Sequence, residues 1–477
     1  MPPVNMSRER GALAIVLHTH MPYVEGFGTW PFGEEWLWEA FAGSYLPLLD
    51  VLDGGAPVTL SLTPVLCDQL EAPGLAARFA RFVEEVRRET HRDDAEGLRA
   101  GGHEQLAQEV ERSWRDYETA LGALERRGGN LLAALGAHAR WTSSATHAIL
   151  PLLASEAGVR EQVGAGVRSH LRRFGESWRG GFWLPECAHE PGVEPALLAA
   201  GARAVCVELT NRYGLGAAEH LRPLLSDAGL LLAPVDRQTM SLVWSDGGYP
   251  AAGAYRDYHH HTVHHHNPWN NAGEAYDHDG ALALAAVHAA DFVSRTRARL
   301  DRDGSGQPGG GLVVCALDTE LLGHWWYEGI AWLSAVIEES ARQGLELVVL
   351  DDALENCDPA PAPTWESRPV TSWGADGDLS TWSGPAVAEI AFDVRAAELE
   401  VLAAGEAAGE AATRELLALQ ASDWPFMLTR EMAVPYATER LAGHRRELSA
   451  ALAAGSGADA GRLRNIAVDA DPRAFSS

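Results

Sequence analysis

The sequence predicts an α/β fold, a parallel barrel or a doubly wound sheet, on three observations. Short apolar runs rich in β-branched residues recur along the chain, and each ends in polar residues. Alanine- and leucine-rich segments with helical periodicity lie between several of them, the pattern of parallel strands joined by helical crossovers. The length of 477 residues exceeds one ordinary domain, so a large body with one or two additions is expected.

In chain order, the charged stretch Met1–Arg10 leads into a first strand at Leu13–Leu17. The apolar stretch there is too short for a secretory signal and lacks a cleavage site. Val58–Leu62 is the second strand. Residues about 68–130 read differently: Leu75, Phe79, Phe82, Val83 and Val86 form an apolar stripe at helical spacing, and Gln105–Leu124 is a second helical stretch. Together they predict an inserted helical hairpin. Closing a barrel needs a further strand near Ala137–Trp141, although that segment contains His138 and Arg140. Phe182–Leu184, Ala204–Val207, Leu242–Trp244 and Leu312–Leu317 are the remaining strands, the last preceded by the loop Asp301–Gly310. Asp358–Pro363 has the composition of a linker, which divides the chain into a body at 1–357 and a C-terminal helical domain at 365–477. Helices are expected at Glu398–Leu419 and Glu439–Ala453, and the last fifteen or so residues are expected to be poorly ordered.

Composition bounds the partners. A net charge of −28, from 38 basic and 66 acidic residues, repels nucleic acid and anionic membranes. A neutral sugar suffers no such penalty. No apolar run approaches the roughly 18–20 residues that span a bilayer. The five cysteines are scattered, match neither a disulfide framework nor a zinc site, and suit a reducing, cytoplasmic compartment. Cys187 beside an acid reads as packing, since a reactive thiolate needs a nearby cation. Sixteen tryptophans, many in short polar motifs, offer faces on which sugar rings could stack, although any single one is as readily core filler.

Active sites of parallel barrels lie at the C-terminal ends of the strands. There the sequence places His18-Thr19-His20, Thr142 to His147, Pro185-Glu186 and Asp318-Thr319-Glu320. Two histidines and two carboxylates converging on one mouth, without a cofactor motif, match glycosidic bond cleavage. One carboxylate attacks the anomeric carbon, and the other, held protonated, donates to the leaving oxygen. Any single acid after a strand could instead be a helix cap.

The segments HTHMPYVEGFGTWPFGEEWLWEA (18–40), WTSSATH (141–147), FWLPECA (182–188), LDTELLGHWWYEG (317–329) and ASDWPF (421–426) resemble the five signature regions of glycoside hydrolase family 57. The likeness is strongest to its α-1,4-glucan branching enzymes. It implies a (β/α)7 barrel with an inserted helical domain and a C-terminal helical domain that helps close the cleft. It also implies a retaining double displacement without metal or cofactor. Glu186 would be the nucleophile and Asp318 the acid/base. His20, His147 and Asp423 would contact substrate, Trp373 and Trp382 would line the glucan groove, and Trp424, Trp269 and Trp30 are further aromatic candidates. The expected partner is an α-glucan of the amylose or glycogen type, bound by a monomer or small homo-oligomer.

Three departures bear on the reaction. Leu209–Val243 is compact and lacks the long loop with a functional tyrosine, leaving only Tyr213 nearby. His189 stands where the relatives have Tyr, and Glu25 where they have a basic residue. Hydrolysis or 4-α-glucanotransfer therefore stand beside branching. A metal-dependent deacetylase using His20, His147 and an Asp, and a non-catalytic glucan-binding protein, are the rivals from other classes. Six histidines within residues 259–266 read as a polar loop near the cleft rather than a metal site, and Asp277 and Asp279 as turn or cap residues.

Overall fold

The computed structural model describes residues 11–28, 33–364, 370–455 and 465–476. Ten strands occur among them: β1 Ala12–Thr19, β2 Val58–Leu62, β3 Ala139–Ser143, β4 Gly181–Trp183, β5 Ala204–Val207, β6 Leu224–Leu225, β7 Leu231–Pro234, β8 Leu312–Asp318, β9 Glu346–Leu347 and β10 Ala360–Pro361. Neighbouring strands follow the order β7-β5-β4-β3-β2-β1-β8, all parallel. The row curls on itself: the Asp236 N–H, just after β7, donates to the Val314 carbonyl of β8 at 2.9 Å. Seven parallel strands with helical crossovers thus enclose the core. β1 is buried at all eight positions, as a central strand covered on both faces must be.

Two strand expectations need correction. Leu242–Trp244 is a turn following the short helix Arg237–Met240, and the strand that fills this place is β7. β3 begins two residues later than expected, so His138 and Arg140 stay near its outer end while Trp141 to Ser143 are buried. β6 pairs antiparallel with β7 as a hairpin, and β10, within the expected linker, pairs with β6.

Between β2 and β3 one long helical run covers Leu75–Ala100 and returns through Glu104–Arg126. Leu75, Phe79, Phe82 and Val83 are buried as the stripe predicts, but Val86 is 42% exposed. A π-turn over Phe82–Arg87 shifts the phase of the stripe there. After β10 come helices Ala388–Ala404, Gly409–Leu419, Asp423–Thr429 and Val434–Ala454. The expectation of a poorly ordered terminus fails for residues 465–476. Ile466 and Phe475 are buried, and Asp469 pairs with Arg172 at 2.8 Å.

Local signals explain several boundaries. The Ser155 side chain accepts the Gly158 N–H to start helix Glu156–Phe174, and Asp277 accepts the Gly280 N–H to start helix His278–Arg299. No described helix is long and apolar enough to cross a membrane.

Candidate active site

Strand register assembles the site. His18 lies opposite Asp318 on β8 and opposite Ser61 on β2. His18 and His20 are two residues apart and project to the same side. A hydrogen-bonded row then crosses the barrel mouth: Ser61 Oγ to His18 Nδ1 at 3.4 Å, His18 Nε2 to His147 Nε2 at 3.0 Å, and His147 Nδ1 to Ser422 Oγ at 2.8 Å. Burial, and then the neighbouring His20, hold His18 and His147 well below the usual histidine pKa, so both rings are neutral. A neutral imidazole has one donor and one acceptor nitrogen. The Nε2–Nε2 bond therefore requires one ring to carry its proton on Nε2 and the other on Nδ1.

His20 stacks on His147 with ring centroids 3.9 Å apart. Its Nε2 is 2.9 Å from Asp423 Oδ1, its Nδ1 is 3.2 Å from Thr63 Oγ1, and its backbone N–H donates to Glu320 Oε1 at 3.1 Å. The same Glu320 oxygen accepts the Tyr45 hydroxyl at 2.6 Å. Tyr45 ends a π-turn, Phe41–Tyr45, whose Gly43 backbone packs on Gly323. Gly323 has φ +99°, and a Cβ there would sit 1.9 Å from the Gly43 carbonyl oxygen, so glycine is required to hold the loop after β8 against this helix.

Of the two acids, Glu186 occupies special backbone, whereas Asp318 is ordinarily extended. Glu186 has φ 60° and ψ 23° and is followed by Cys187 at φ 49°, while His147 has φ 61°. Three non-glycine residues in the left-handed region cost about 1–3 kcal/mol each, a strain that collects at functional sites. Trp373 answers it at Glu186: its backbone N–H donates to the Glu186 carbonyl at 3.0 Å, and its indole N–H donates to Glu186 Oε2 at 2.7 Å. Trp373 in turn packs on Trp183 at 5.1 Å, and Trp183 stacks on His18 at 4.6 Å.

Burial pushes Glu186 up to about 7, with the Trp373 donor opposing and the Asp423 charge adding. Burial also pushes Asp318 up to about 7, the Glu186 charge adding and His20 opposing. The indole donor favours the ionised form of Glu186, and the Glu186 charge in turn favours the protonated form of Asp318. One carboxylate and one carboxylic acid at a single mouth are the equipment for attack at one face of a reacting centre and proton donation at another.

The other sequence candidates are placed as follows. Asp423 opens helix Asp423–Thr429, and its Oδ2 is buried without a hydrogen-bond partner. Trp382 is 1% exposed and packs with Ile149 and Ala188. It therefore lies in a core cluster rather than on an open face. Trp424 is fully buried, donating to the Ala418 carbonyl at 2.9 Å. Trp269 stacks on His260 at 3.9 Å. Trp30 lies outside the described residues. His189 is buried, with Nε2 2.8 Å from Glu194 Oε1. Burial pushes the Cys187 thiol well up, which keeps it unreactive. The ligating atoms of His20, His147 and Asp423 lie within 4.8 Å of one another, a spacing that could hold a metal ion. Both nitrogens of His147 already bond His18 and Ser422, and His20 Nε2 already bonds Asp423. His18, Tyr45, Glu320 and Ser422 join the site without having been singled out as site residues. The i, i+2 spacing of His18 and His20 is the signal that could have found the first.

Fold and site together are those of a barrel enzyme with two half-buried carboxyl groups at its mouth. Residues 140–361 match the profile of Glycosyl hydrolase family 57, and residues 392–471 match the C-terminal region of 1,4-alpha-glucan branching enzymes. The chain is 32% identical to the 1,4-alpha-glucan branching enzyme of Thermococcus kodakarensis, over 92% of this chain and 73% of that one. It is also 32% identical to a probable 1,4-alpha-glucan branching enzyme of Mycobacterium tuberculosis, over 95% and 94%. The crystal structure of the Thermococcus enzyme with glucose superposes with a TM-score of 0.87 at 28% identity, covering 98% of this chain and 96% of that one. The chain belongs to glycosyl hydrolase family 57.

Proposed function

We propose that the protein is a 1,4-α-glucan branching enzyme, cleaving an α-1,4 bond and re-forming it as α-1,6 by a retaining double displacement. The observation that carries the mechanism is the half-buried pair of acids at the barrel mouth, with the indole donor on Glu186 and, among the described residues, none of that kind on Asp318. Asp318 gives its proton to the glycosidic oxygen as Glu186 attacks the anomeric carbon, which releases the reducing-end segment and leaves a glucosyl ester on Glu186. The ionised Asp318 then takes the proton of an incoming 6-hydroxyl. That oxygen bonds the anomeric carbon, and the Glu186 ester breaks. His20, His147 and Asp423 hold sugar hydroxyls, and the unpartnered Asp423 Oδ2 is a ready acceptor.

Full-length relatives named as branching enzymes support the reaction class. The five cysteines are all free, which agrees with a cytoplasmic enzyme of glucan storage. One observation favours a second reading, hydrolysis. The segment Leu209–Val243 is taken up by short helices and the β6–β7 hairpin, which leaves no long loop to shield the acceptor side from water.

Incubation with amylose separates the two. New α-1,6 linkages in the proton NMR spectrum without matching reducing ends, abolished in Glu186→Gln, establish branching. Reducing ends without new linkages establish hydrolysis.

A further inference from the structure

Beyond the carboxylate mouth the protein has a second concavity of about 360 Å³, and neither Glu186, Asp318, His20, His147, Asp423 nor Trp373 lines it. It lies where the inserted helix Glu104–Arg126, the helical segment Glu34–Asp53, the histidine-rich loop and the loop after β8 meet. Its volume falls at the small end of ligand pockets, which run roughly 300–1,000 Å³.

The lining has a definite chemistry. Aromatic rings come from Tyr117, Tyr258, Trp325 and Tyr327, and carboxylates from Glu39 and Asp116. The cation Arg256 is already committed: it pairs with Glu109 at 2.5 Å and lies over the Tyr327 ring at 3.6 Å. Two buried histidines complete the wall. His91 Nδ1 is 2.7 Å from the Arg87 carbonyl, so that nitrogen carries the proton and Nε2 is left as an acceptor. His266 lies tilted against His91 with ring centroids 3.7 Å apart; neither Nε2 has a hydrogen-bond partner, and that of His266 is 3.8 Å from Asp94 Oδ2. Burial pushes both rings far below the usual pKa, so neither can neutralise an anion.

Rings for apolar ring faces, carboxylates and imidazole nitrogens for hydroxyls, and three carboxylates (Glu39, Asp50 and Asp116) against two guanidiniums (Arg126 and the committed Arg256) describe a receptor for a neutral polyhydroxylated molecule rather than an anion. We propose that this concavity is a second α-glucan site, holding a short segment of chain apart from the segment being cut. The inference rests on the α-glucan reading above. It gives a use to the histidine-rich loop, which otherwise has none in catalysis. The Gly43–Gly323 contact places the site beside the loop that leaves Asp318, so one long glucan could engage both places.

The test uses the full chain carrying Glu186→Gln, which binds without turnover, titrated with maltohexaose by calorimetry. Two binding events per chain are expected. Adding Tyr258→Ala, or separately Ala331→Trp to fill the space, should weaken one event about tenfold or more and leave the other intact. In the active enzyme the same two substitutions should raise KM for amylose severalfold while turnover of a short maltooligosaccharide is unchanged. A single event in the Glu186→Gln chain, or two events untouched by both added substitutions, overturns the second site and leaves the α-glucan reading standing. No binding at all overturns both. Two events in a protein whose product proves hydrolytic still support the second site.

Discussion

Replacing Trp373 by Phe tests how the carboxylate pair divides its proton. The change keeps an aromatic ring against Trp183 and removes the indole N–H that donates to Glu186 Oε2 at 2.7 Å. A hydrogen bond to a charged acceptor contributes about 1.5–3 kcal/mol. At about 1.4 kcal/mol per unit, losing it raises the Glu186 pKa by roughly 1–2 units above its present value. Glu186 must be ionised to attack, so the acid limb of kcat/KM moves to higher pH by that amount. On the acid side of the optimum, activity falls about 10- to 100-fold. The base limb belongs to Asp318, which must be protonated, so the working range narrows from the acid side. Initial rates on amylose from about pH 4.5 to 9 read this directly. A uniform loss at every pH, with the acid limb unmoved, would refute the reasoning and reduce Trp373 to a substrate-positioning ring.

Asp423→Asn works in the opposite direction: it removes a charge that raises the Glu186 pKa, so the acid limb in the same profile should move to lower pH by less than about one unit. Trp382→Ala should cost about 3–5 kcal/mol in a urea titration and leave KM for amylose unaltered, because the ring is core. A raised KM with intact stability would return Trp382 to the groove. Arg87→Met leaves Glu35 and Glu39 without their buried partner and should cost about 3–5 kcal/mol at pH 8. Burial already pushes Glu35 up to about 8, and losing the guanidinium pushes it further. A carboxyl whose folded pKa lies above its unfolded value is penalised progressively as pH rises from that unfolded value. Wild type and variant share this penalty up to about pH 8 and diverge above it, so the cost should be larger at about pH 9.5 than at about pH 7, and equal urea midpoint shifts at those two pH values would contradict this.

Most of the barrel is legible because buried parallel strands are written as uninterrupted apolar runs. β1, β2, β5 and β8 all have this character and lie where the sequence places them. β7 escapes because Leu231–Pro234 is leucine-rich, lacks β-branching and ends in Pro, so its pattern reads as a helix or turn. The exposed Val86 shows a further limit: a π-turn leaves composition unchanged while rotating every following side chain. Within the site, Glu186, Asp318 and the histidines are visible as polar residues at strand ends. The Trp373 indole on Glu186 is not, since 187 positions separate the partners and only tertiary packing joins them. Trp382 illustrates the converse. A tryptophan in a polar motif looks like a sugar platform, yet packing against Ile149 and Ala188 removes it from solvent.

Ser422 and Asp423 come from the far end of the chain, yet they close the hydrogen-bond row that begins at Ser61 and hold His20 in place. During synthesis the strands bearing Glu186 and Asp318 emerge and begin to fold long before these two residues leave the ribosome. A nascent chain therefore carries both acids without the clamp that orients their neighbours. A polypeptide cut short before Ser422 would keep both acids and lose the hydrogen bonds that hold His147 and His20 beside them.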